Sequence, residues 1–482
     1  MGEWQNPGYL EEIGGILHVD GVNVIDLAEQ YGTPLFIFSE ARIRHNVEEI
    51  KSAFQHPLMK TRVFYASKAN SNLAVLQIIK DAGLDVEVNS GGELYKALMV
   101  GFRPDQIIFN GVAKTEREIS EAVERQIFCI NVESSYELDQ IVRIARSLGT
   151  RANIALRTVP EVKIGTYGSL ETGTHAKKFG ISEDELLDSY REALRHPEHL
   201  ALIGLHMHIG AQIINPEKYK AGFRALLTKA ATLYEATGHW VSHLNIGGGL
   251  PVPFIKKGDK YLSQMIISDP SHQLGNVYGM LKADTSLEDI AQATIGQLED
   301  GKFSQMLDSI GEGFQRVLSD ICIILEPGTR VVADTAVLLT TVQNYKKRRT
   351  TGDTWLLLDA GFNTLLDILA YNWYFHAIAA NKADGRAERP YKLAGPLCDS
   401  GDIYHDSEGL GRLPDYRMLP DEMKPGDLIA FLDVGAYTLE QMCQYNGQPR
   451  AAALLIRQHG NVQVIRRRDT YEDLVSHDVL VS

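Results

Sequence analysis

Cysteine is scarce in this sequence, which has four in 482 residues. They stand far apart, at Cys129, Cys322, Cys398 and Cys443, so no two have the short spacing of paired zinc ligands. The same scatter gives no disulfide framework of the kind that stabilises small secreted domains. We therefore expect a protein of a reducing compartment that holds no metal ion.

Positive charge is also in short supply, because 48 lysines and arginines face 62 acidic residues and leave a net charge of -14. Binding to nucleic acid or to an anionic membrane needs a concentrated basic surface. The notable basic runs, KKRR and RRR, are better interpreted as solvated strand ends. No apolar run approaches the length of a membrane span, and the opening MGEWQNPGYLEE lacks the layout of a secretory signal. These absences predict a soluble, cytoplasmic protein with neither nucleic acid nor membrane as a partner.

What the chain does contain is a regular alternation of strand and helix patterns. Helical patterns such as SNLAVLQIIKDAG have apolar residues three and four apart and end in glycine. Eight strand-helix units over residues 36–332 predict a parallel (β/α)₈ TIM barrel, with an open doubly wound sheet as the alternative. The strand patterns are RVFYAS, DVEVNS, IIFNG, FCINVES, NIALRT, IGLHMHIG, HLNIGGG and CIILEPG.

After residue 332 the pattern changes to β-rich segments without regular helices between them. Residues 333–482 are therefore predicted to form a second, β-rich domain, in the form of a Greek-key-like barrel. Residues 1–35 contain the short strand pattern GILHVDG, which we expect to join that domain. The long connection at 255–285 is typical of a lid or an interface loop.

Lys68 poses the first chemical question, because it ends the buried-strand pattern VFYASKAN without an acidic neighbour. Lysine is almost never buried unpaired, so either its ammonium group reaches the barrel rim or its amine is used chemically. Since catalytic groups of TIM barrels lie at the carboxyl ends of strands, the position favours a functional role.

Three further features follow barrel strands. Gly247, Gly248 and Gly249 could admit a phosphate to backbone amides, or could simply form a tight packing turn. His208, in HMHIGAQ, could stack on a ring, ligate a metal or lie in the core, and we discount the metal because no other ligands complete a set. Glu326, in LEPGTR, is a carboxylate that needs a cationic partner, which an ordinary salt bridge could also supply.

Together these features describe a site for one kind of ligand. The site offers an amine for covalent bonding, glycine amides for a phosphate, a flat side chain for a ring and an anion for a ring nitrogen. Pyridoxal 5'-phosphate (PLP) has all four of these needs, since its aldehyde bonds to a lysine and its ring nitrogen is held cationic by a carboxylate.

Six motifs occur in an order that carries a family resemblance: YASKAN, HMHIGAQ, NIGGG, EPG, CDSGD and GAYT. The sequence resembles the fold-type III, alanine-racemase-like decarboxylases of basic amino acids. It is most similar to the diaminopimelate decarboxylase family and its D-ornithine/D-lysine decarboxylase relatives, over nearly the whole chain. The resemblance implies that Lys68 holds PLP, His208 stacks on its ring, Glu326 pairs with the pyridinium, and Gly247–Gly249 and Tyr437 bind the phosphate.

The CDSGD motif carries two further implications of the resemblance. Cys398 resembles the acid that protonates the α-carbon after carbon dioxide leaves, although most free cysteines are small buried hydrophobic residues. Asp399 resembles the residue that holds the distal amine of the substrate. In this family the partner subunit supplies this segment, so the resemblance implies a homodimer with shared active sites.

Departures from the family pattern concern the substrate. By the resemblance, diaminopimelate decarboxylases have the motifs EPGR and RPALY, whose arginines clamp the second carboxylate of the substrate. The corresponding segments here read EPGT and DILAY, so Thr329 and Asp367 stand in place of those arginines, while Tyr371 is kept. Leaving such a carboxylate unpaired costs about 3 to 5 kcal/mol. Asp367 and Asp399 could instead neutralise a distal ammonium group, although Arg330 could replace the clamp if the loop shifts by one residue. We therefore predict decarboxylation of D-lysine or D-ornithine to cadaverine or putrescine, with the handedness implied by the resemblance alone.

Three alternatives stay open. The first is meso-diaminopimelate decarboxylase, which makes L-lysine. The second is an amino-acid racemase on the same architecture, which needs a base on each face of the α-carbon. The third is a carrier or regulatory protein, which we rank last because Lys68 and Cys398 are both present.

Overall fold

The structure is a computed structural model that describes residues 4–57, 59–162, 173–174, 178–256, 285–299, 321–406, 408 and 412–481. Most of the predicted lid at 255–285 lies outside these ranges. The chain forms two compact units, of which unit 1 comprises Met1–His45, Val252–Ala283 and Val331–Ser482, and unit 2 comprises Asn46–Pro251 and Asp284–Arg330. Within the described ranges, no helix has both the length and the apolar character that crossing a membrane requires.

The strands are numbered here in chain order. They are β1 (Leu10–Ile13), β2 (Ile16–Val19), β3 (Val22–Asn23), β4 (Leu35–Ser39), β5 (Lys60–Ala66), β6 (Asp85–Val88), β7 (Ile107–Phe109), β8 (Cys129–Val132), β9 (Ala152–Arg157), β10 (Leu200–His206), β11 (His243–Asn245), β12 (Cys322–Leu325), β13 (Ala336–Lys347), β14 (Thr354–Leu358), β15 (Ala377–Ala379), β16 (Arg389–Ala394), β17 (Arg417–Leu419), β18 (Leu428–Leu432), β19 (Ala452–Ile456) and β20 (Val462–Arg466).

The described α-helices are numbered in the same way. They are α1 (Val24–Tyr31), α2 (Glu40–Ala53), α3 (Leu73–Asp81), α4 (Gly91–Val100), α5 (Glu116–Glu124), α6 (Ser135–Ser147), α7 (Glu183–Leu194), α8 (Pro216–Thr237), α9 (Leu287–Ala293), α10 (Thr329–Val332), α11 (Asp367–Tyr371) and α12 (Tyr471–Leu474). Short 3₁₀ turns occur at Ser67–Ala69, Pro104–Gln106, Ile295–Glu299, Ala333–Thr335, Tyr445–Gly447 and Gln458–Gly460.

Unit 2 is a closed barrel of eight parallel strands in the order β10-β11-β12-β5-β6-β7-β8-β9. Every strand pattern that the sequence offered for the barrel forms one of these strands, so the (β/α)₈ prediction is confirmed. Local signals set the helix limits between strands. Helix α8, for example, begins where the Asn215 side chain accepts from the Glu217 amide and ends at Gly238, which has a φ of +69°.

The interior of the barrel is packed with apolar side chains from its strands. Five fully buried residues form a compact core cluster there, namely Phe64, Ile108, Cys129, Ala155 and Ile324. At the last residue of β5, the Ala66 amide donates to the Pro327 carbonyl at 3.0 Å. The turn that carries Lys68 is thereby tied to the EPG segment that follows β12.

Unit 1 is built on a mixed nine-stranded sheet, which confirms the predicted β-rich domain. Strand β13 pairs antiparallel with β14, β18 and β4, and β4 pairs parallel with β19. Strands β1, β2 and β3 form a small antiparallel sheet whose Leu17 and Val19 pack in the same apolar cluster as Leu35 and Ile37 of β4. Because β4 crosses the domain limit expected at residue 36, we propose that unit 1 extends to His45 before the barrel begins.

Candidate active site

Glu326 lies just beyond β12, where three asparagine side chains from other strands converge on it. The Asn110 and Asn245 amides donate to its carboxylate at 3.0 and 2.7 Å, and Asn131 donates at 3.5 Å. The His206 Nε2 atom stands 3.3 Å from Oε2 of Glu326. Burial alone raises the pKa of Glu326, but the His206 ring and the amide hydrogen bonds outweigh it and lower the pKa to about 2. The site therefore holds a permanent buried anion.

Glu87, on β6, is a second buried carboxyl group, and its pKa is shifted in the opposite direction. It is 1% exposed, and it is in register with Ala66 at the end of β5. Burial raises its pKa to about 8, an effect that the Lys68 charge opposes and the Glu326 and Glu93 charges reinforce. At neutral pH Glu87 is therefore mostly protonated while Glu326 is ionised, a separation typical of groups with different chemical tasks.

Lys68 follows β5 in the turn Ser67–Ala69, with its side chain exposed at the barrel rim. The turn is anchored by Ser67, whose hydroxyl donates to Glu93 at 2.7 Å. The Lys68 charge lowers the pKa of Glu87 and that of His208, which places the ammonium group near both side chains. Of the two roles considered for Lys68, the rim position is the one observed, and its use as a covalent amine stays a prediction.

His208 follows β10 and is held by the glycine loop. The Gly248 amide donates to its Nδ1 atom at 3.2 Å, so Nδ1 carries no proton. Burial, together with the Lys68 and Arg157 charges, lowers the pKa of His208 well below its usual value. The ring is therefore neutral, which suits stacking on an aromatic ring. Its neighbour His206 contacts Glu326 instead, as described above.

The three glycines after β11 are required by packing. A Cβ atom on Gly247 would lie 2.6 Å from the Met207 carbonyl oxygen, and on Gly248 it would lie 2.2 Å from that of Glu326. Gly249 has a φ of +87°, and its Cβ would lie 2.2 Å from the Gly210 carbonyl oxygen.

The same glycines offer fewer amides to a phosphate than the sequence suggested. The Gly247 amide donates to Asn245 Oδ1 at 2.9 Å, and the Gly248 amide is the one that donates to His208. Two of the three predicted phosphate donors thus have acceptors within the protein. The tight-turn interpretation accounts for these two, and the phosphate role stays a prediction that rests mainly on Gly249 and Tyr437.

Thr329 and Arg330 begin α10, directly after the EPG segment. The Arg330 guanidinium donates to Glu49 at 2.9 Å within unit 2. An arginine engaged by a carboxylate in this way is not available as a ready replacement for the missing clamp.

Tyr437 and Asp367, both in unit 1, are brought together by a residue that the sequence did not single out. With its nitrogen facing both acceptors, the Gln441 amide donates to the Tyr437 carbonyl oxygen and to Asp367 Oδ1, each at 2.8 Å. Asp367 begins the short helix α11, which ends at Tyr371. Burial raises the pKa of Asp367 to about 7, opposed by the Gln441 hydrogen bond. A cation beside it would return the carboxyl group to its ionised form.

Tyr437 itself has a φ of +57°, which is unusual for a residue other than glycine. The loop reaches it past Gly435, where a Cβ atom would lie 1.8 Å from the Val332 carbonyl oxygen. Left-handed backbone at a bulky side chain costs of the order of 1–3 kcal/mol and is concentrated at functional sites. The geometry thus favours a specific use of Tyr437 over a place in the core.

Cys398 and Asp399 are exposed on the CDSGD loop of unit 1, residues 398–402. The Cys398 amide donates to Asn446 Oδ1 at 2.6 Å, and the Asp399 carboxylate accepts from the Gly401 amide at 2.8 Å. Exposure excludes the interpretation of Cys398 as a small buried hydrophobic residue. All four cysteines of the chain are free.

Comparison with known proteins identifies the class of enzyme. Residues 40–284 match the family model described as "Pyridoxal-dependent decarboxylase, pyridoxal binding domain". The chain is thus a PLP-dependent decarboxylase, a carboxy-lyase that acts on an amino acid and uses PLP as its cofactor.

Whole-chain relatives narrow the class. The diaminopimelate decarboxylase of Archaeoglobus fulgidus is 33% identical over 96% of this chain and 96% of its own length. That of Methanothermobacter thermautotrophicus is 32% identical over 96% and 95%. The crystal structure of diaminopimelate decarboxylase from M. jannaschii with L-lysine has a TM-score of 0.82 and 30% identity, covering 98% of both chains. The chain belongs to the diaminopimelate decarboxylase family of fold-type III PLP-dependent decarboxylases.

A lysine/ornithine decarboxylase from Vibrio vulnificus, crystallised with putrescine, shares the fold with a TM-score of 0.68 at 20% identity. It covers 90% of this chain and 97% of its own. This likeness extends to the fold alone. A special closeness to D-ornithine/D-lysine decarboxylases, which the resemblance had suggested, has no support from the comparisons.

Residues of unit 2 fit PLP chemically. The anion at Glu326 suits a cationic ring nitrogen, the neutral His208 ring suits a flat aromatic face, and the Lys68 charge acts on His208 and Glu87 from the rim. The glycine turn leaves its edge free of side chains, because a Cβ atom at any of its three positions would collide with backbone.

Proposed function

We propose that this decarboxylase acts on a diamino acid, with Lys68 as the residue that bonds to PLP. The observation that carries the assignment of the cofactor site is the Glu326 carboxylate, kept ionised within the barrel by His206 and by neutral amides. PLP, when bound, withdraws electrons from the substrate α-carbon. Glu326 supports this chemistry by favouring a protonated ring nitrogen, and His208 orients the ring.

The proton that replaces the lost carboxylate needs a donor. We assign it to Cys398, whose thiol is exposed on unit 1 and whose backbone is fixed by Asn446. Because a thiol exposed on a single chain is solvated, this role is consistent with a second copy of the chain covering it. We accordingly propose a homodimer in which each subunit lends its CDSGD loop to the other. The cytoplasmic location also stays a prediction.

The comparisons favour meso-diaminopimelate as the substrate. The whole-chain relatives reported above carry that name, and each matches 96% of this chain. Similarity thus supports diaminopimelate decarboxylation, which we weighed as an alternative, better than it supports D-lysine or D-ornithine.

A second candidate, a basic D-amino acid without a second carboxylate, is favoured by the residues that the family resemblance assigns to the distal end of the substrate. Thr329 and Asp367 offer no cation there, and Arg330 is engaged by Glu49. Asp367, with its raised pKa, is a carboxyl group that gains most from a nearby ammonium group. A bound second carboxylate would face Asp367 and Asp399 without a partner, at a cost of about 3 to 5 kcal/mol.

One assay separates these candidates. Carbon dioxide release is measured with meso-diaminopimelate, both enantiomers of lysine and ornithine, and arginine. Preference for diaminopimelate would show that Thr329 and Asp367 do not decide specificity, whereas preference for D-lysine or D-ornithine would show that they do. The double variant Thr329→Arg, Asp367→Arg is the matched control. If Thr329 and Asp367 decide specificity, the double variant should shift the preference from the D-amino acid towards diaminopimelate by about tenfold or more.

Racemisation is tested on the same samples. A racemase returns the opposite enantiomer with its carboxylate intact, so chiral analysis of the remaining substrate detects it without reference to carbon dioxide. We expect loss of the carboxylate in proportion to substrate consumed and no accumulation of the opposite enantiomer.

A further inference from the structure

The CDSGD loop is closed around a buried carboxylate. Asp402 is 2% exposed, and its two oxygens accept from the Phe362 amide at 2.8 Å and the Leu397 amide at 2.7 Å. A Cβ atom on Gly361 or Gly395 would lie 2.3 Å from an Asp402 oxygen, so only glycine lets these two backbone segments approach it. The base of the loop is therefore rigid.

The outer part of the loop is held by a turn farther along the chain, Tyr445–Gly447. The Cys398 amide donates to the Asn446 side chain at 2.6 Å, and the Tyr445 hydroxyl donates to Asp399 Oδ2 at 3.3 Å. The Tyr445 ring stacks on Phe362, with centroids 5.8 Å apart and planes at 22°. Because the Phe362 backbone is bound by Asp402, the same scaffold supports the loop and the turn.

These contacts cost side-chain conformational entropy at an exposed position. Tyr445 is 44% exposed and Asp399 is exposed, so little burial offsets the rotamer entropy lost when the two side chains are fixed. Asn446 has a φ of +55°, a left-handed conformation that asparagine tolerates better than most residues. Such geometry contributes little to folding and is better explained by what it orients.

We propose that Tyr445 and Asn446 are positioning residues for the reaction. Tyr445 directs the Asp399 carboxylate towards the distal ammonium group of the substrate, and Asn446 fixes the backbone from which the Cys398 thiol projects. The inference rests on the proposed function, which gives Asp399 and Cys398 their roles. Neither positioning residue touches the reacting atoms.

The Tyr445 role is tested with two amines that differ in one group. Cadaverine carries a distal ammonium group and pentylamine does not, and both are measured as competitive inhibitors of carbon dioxide release from the best substrate of the panel. In Tyr445→Phe, which keeps the ring stack, we expect the inhibition constant of cadaverine to rise about fivefold and that of pentylamine to stay unchanged. Tyr471→Phe, in an exposed tyrosine of the same unit, is the control and should change neither.

The outcomes separate this inference from the proposed function. If the unmodified enzyme prefers cadaverine and Tyr445→Phe keeps the same preference, Tyr445 does not position Asp399. If the unmodified enzyme binds both amines equally, recognition of the distal amine by Asp399 is wrong, and the Tyr445 role is overturned with it.

The Asn446 role is tested by a matched pair of variants. Asn446→Gly keeps the left-handed backbone and removes the acceptor, whereas Asn446→Asp keeps an acceptor oxygen at the same place. We expect kcat to fall about tenfold in Asn446→Gly with KM unchanged, and to be largely restored in Asn446→Asp. Equal kcat values in the two variants would contradict the inference, because a purely structural turn would favour the glycine.

Discussion

The strand ends of the barrel and the CDSGD loop of unit 1 present their functional groups in opposite ways. At the barrel, Glu326 and Glu87 are buried, and Glu326 accepts from amides on three other strands. On the loop, Cys398 and Asp399 are exposed although their backbone is fixed. The barrel groups have their pKa values set by the fold of one chain. The loop groups have a fixed backbone and solvent-exposed side chains, which is the arrangement expected of residues that complete a site elsewhere.

The largest expected effect is on the barrel side. Lys68→Ala should lower carbon dioxide release by at least about a thousandfold, because it removes the amine assigned to bond PLP. Mass analysis after borohydride reduction should find the cofactor on Lys68 in the unmodified enzyme and on no peptide of the variant. Lys60→Ala, at the other end of β5, is the matched control and should keep both labelling and activity. Labelling of another residue in the unmodified enzyme would refute the assignment.

Mixing two inactive variants tests whether the loop completes a site on another subunit. Lys68→Ala and Cys398→Ala damage different surfaces, so a mixed dimer would have one site with both defects and one with neither. After subunit exchange we expect recovery of about a quarter of the unmodified activity. No recovery, with exchange verified by mass analysis of differently labelled subunits, would place the loop at its own chain's site or outside any site.

The sequence predicted the barrel better than it predicted the groups between its strands. All eight strands and the rim position of Lys68 followed from local patterns, because apolar runs and helix ends depend on near neighbours. The convergence of Asn110, Asn131 and Asn245 on Glu326 depends on the register between distant strands. The available signal was one asparagine within or directly after each of three apolar strand patterns, IIFNG, FCINVES and HLNIGGG.

Two other residues of the candidate site, Glu87 and Gln441, were not singled out from the sequence for the same reason. Glu87 stands among apolar residues in DVEV, a signal for a buried carboxyl group, but its raised pKa comes first from burial within the assembled barrel, with the Lys68 charge lowering it and the Glu326 charge raising it further. Gln441 joins Tyr437 to Asp367, which are seventy residues apart in the sequence. No local pattern reveals such a bridge, because it forms only when the sheet of unit 1 assembles.

Within the barrel, Glu326→Gln and Glu87→Gln should have opposite effects on the free energy of unfolding. The lowered pKa of Glu326 contributes stability above pH 4.5, so Glu326→Gln should reduce the free energy of unfolding at pH 7 by about 3 kcal/mol. The raised pKa of Glu87 means that wild-type stability is lost as pH rises from 4.5 towards 8. Glu87→Gln should therefore increase stability at pH 7 by a similar amount.

Denaturant titrations of the two variants at pH 5 and pH 7 make the measurement. The gain in Glu87→Gln should be smaller at pH 5, because that pH lies close to the ordinary pKa of 4.5, so the wild-type protein has lost only a little stability there. A loss of stability in both variants at pH 7 would show that Glu87 is ionised in the folded protein and paired with Lys68.

The smallest expected effect concerns Asp367 in unit 1. Its pKa of about 7 means that the carboxylate, the form that binds an ammonium group, becomes predominant only above neutrality. Preference for cadaverine over pentylamine should therefore increase by about tenfold from pH 6 to pH 8, as the ionised fraction rises. Comparing the two amines cancels any pH effect on the shared primary amine or on PLP. In Asp367→Asn, whose amide is similar in shape and does not titrate, the preference should vary little with pH. A tenfold increase that persists in this variant would assign the pH dependence to another group, and Asp399 would be the first to test.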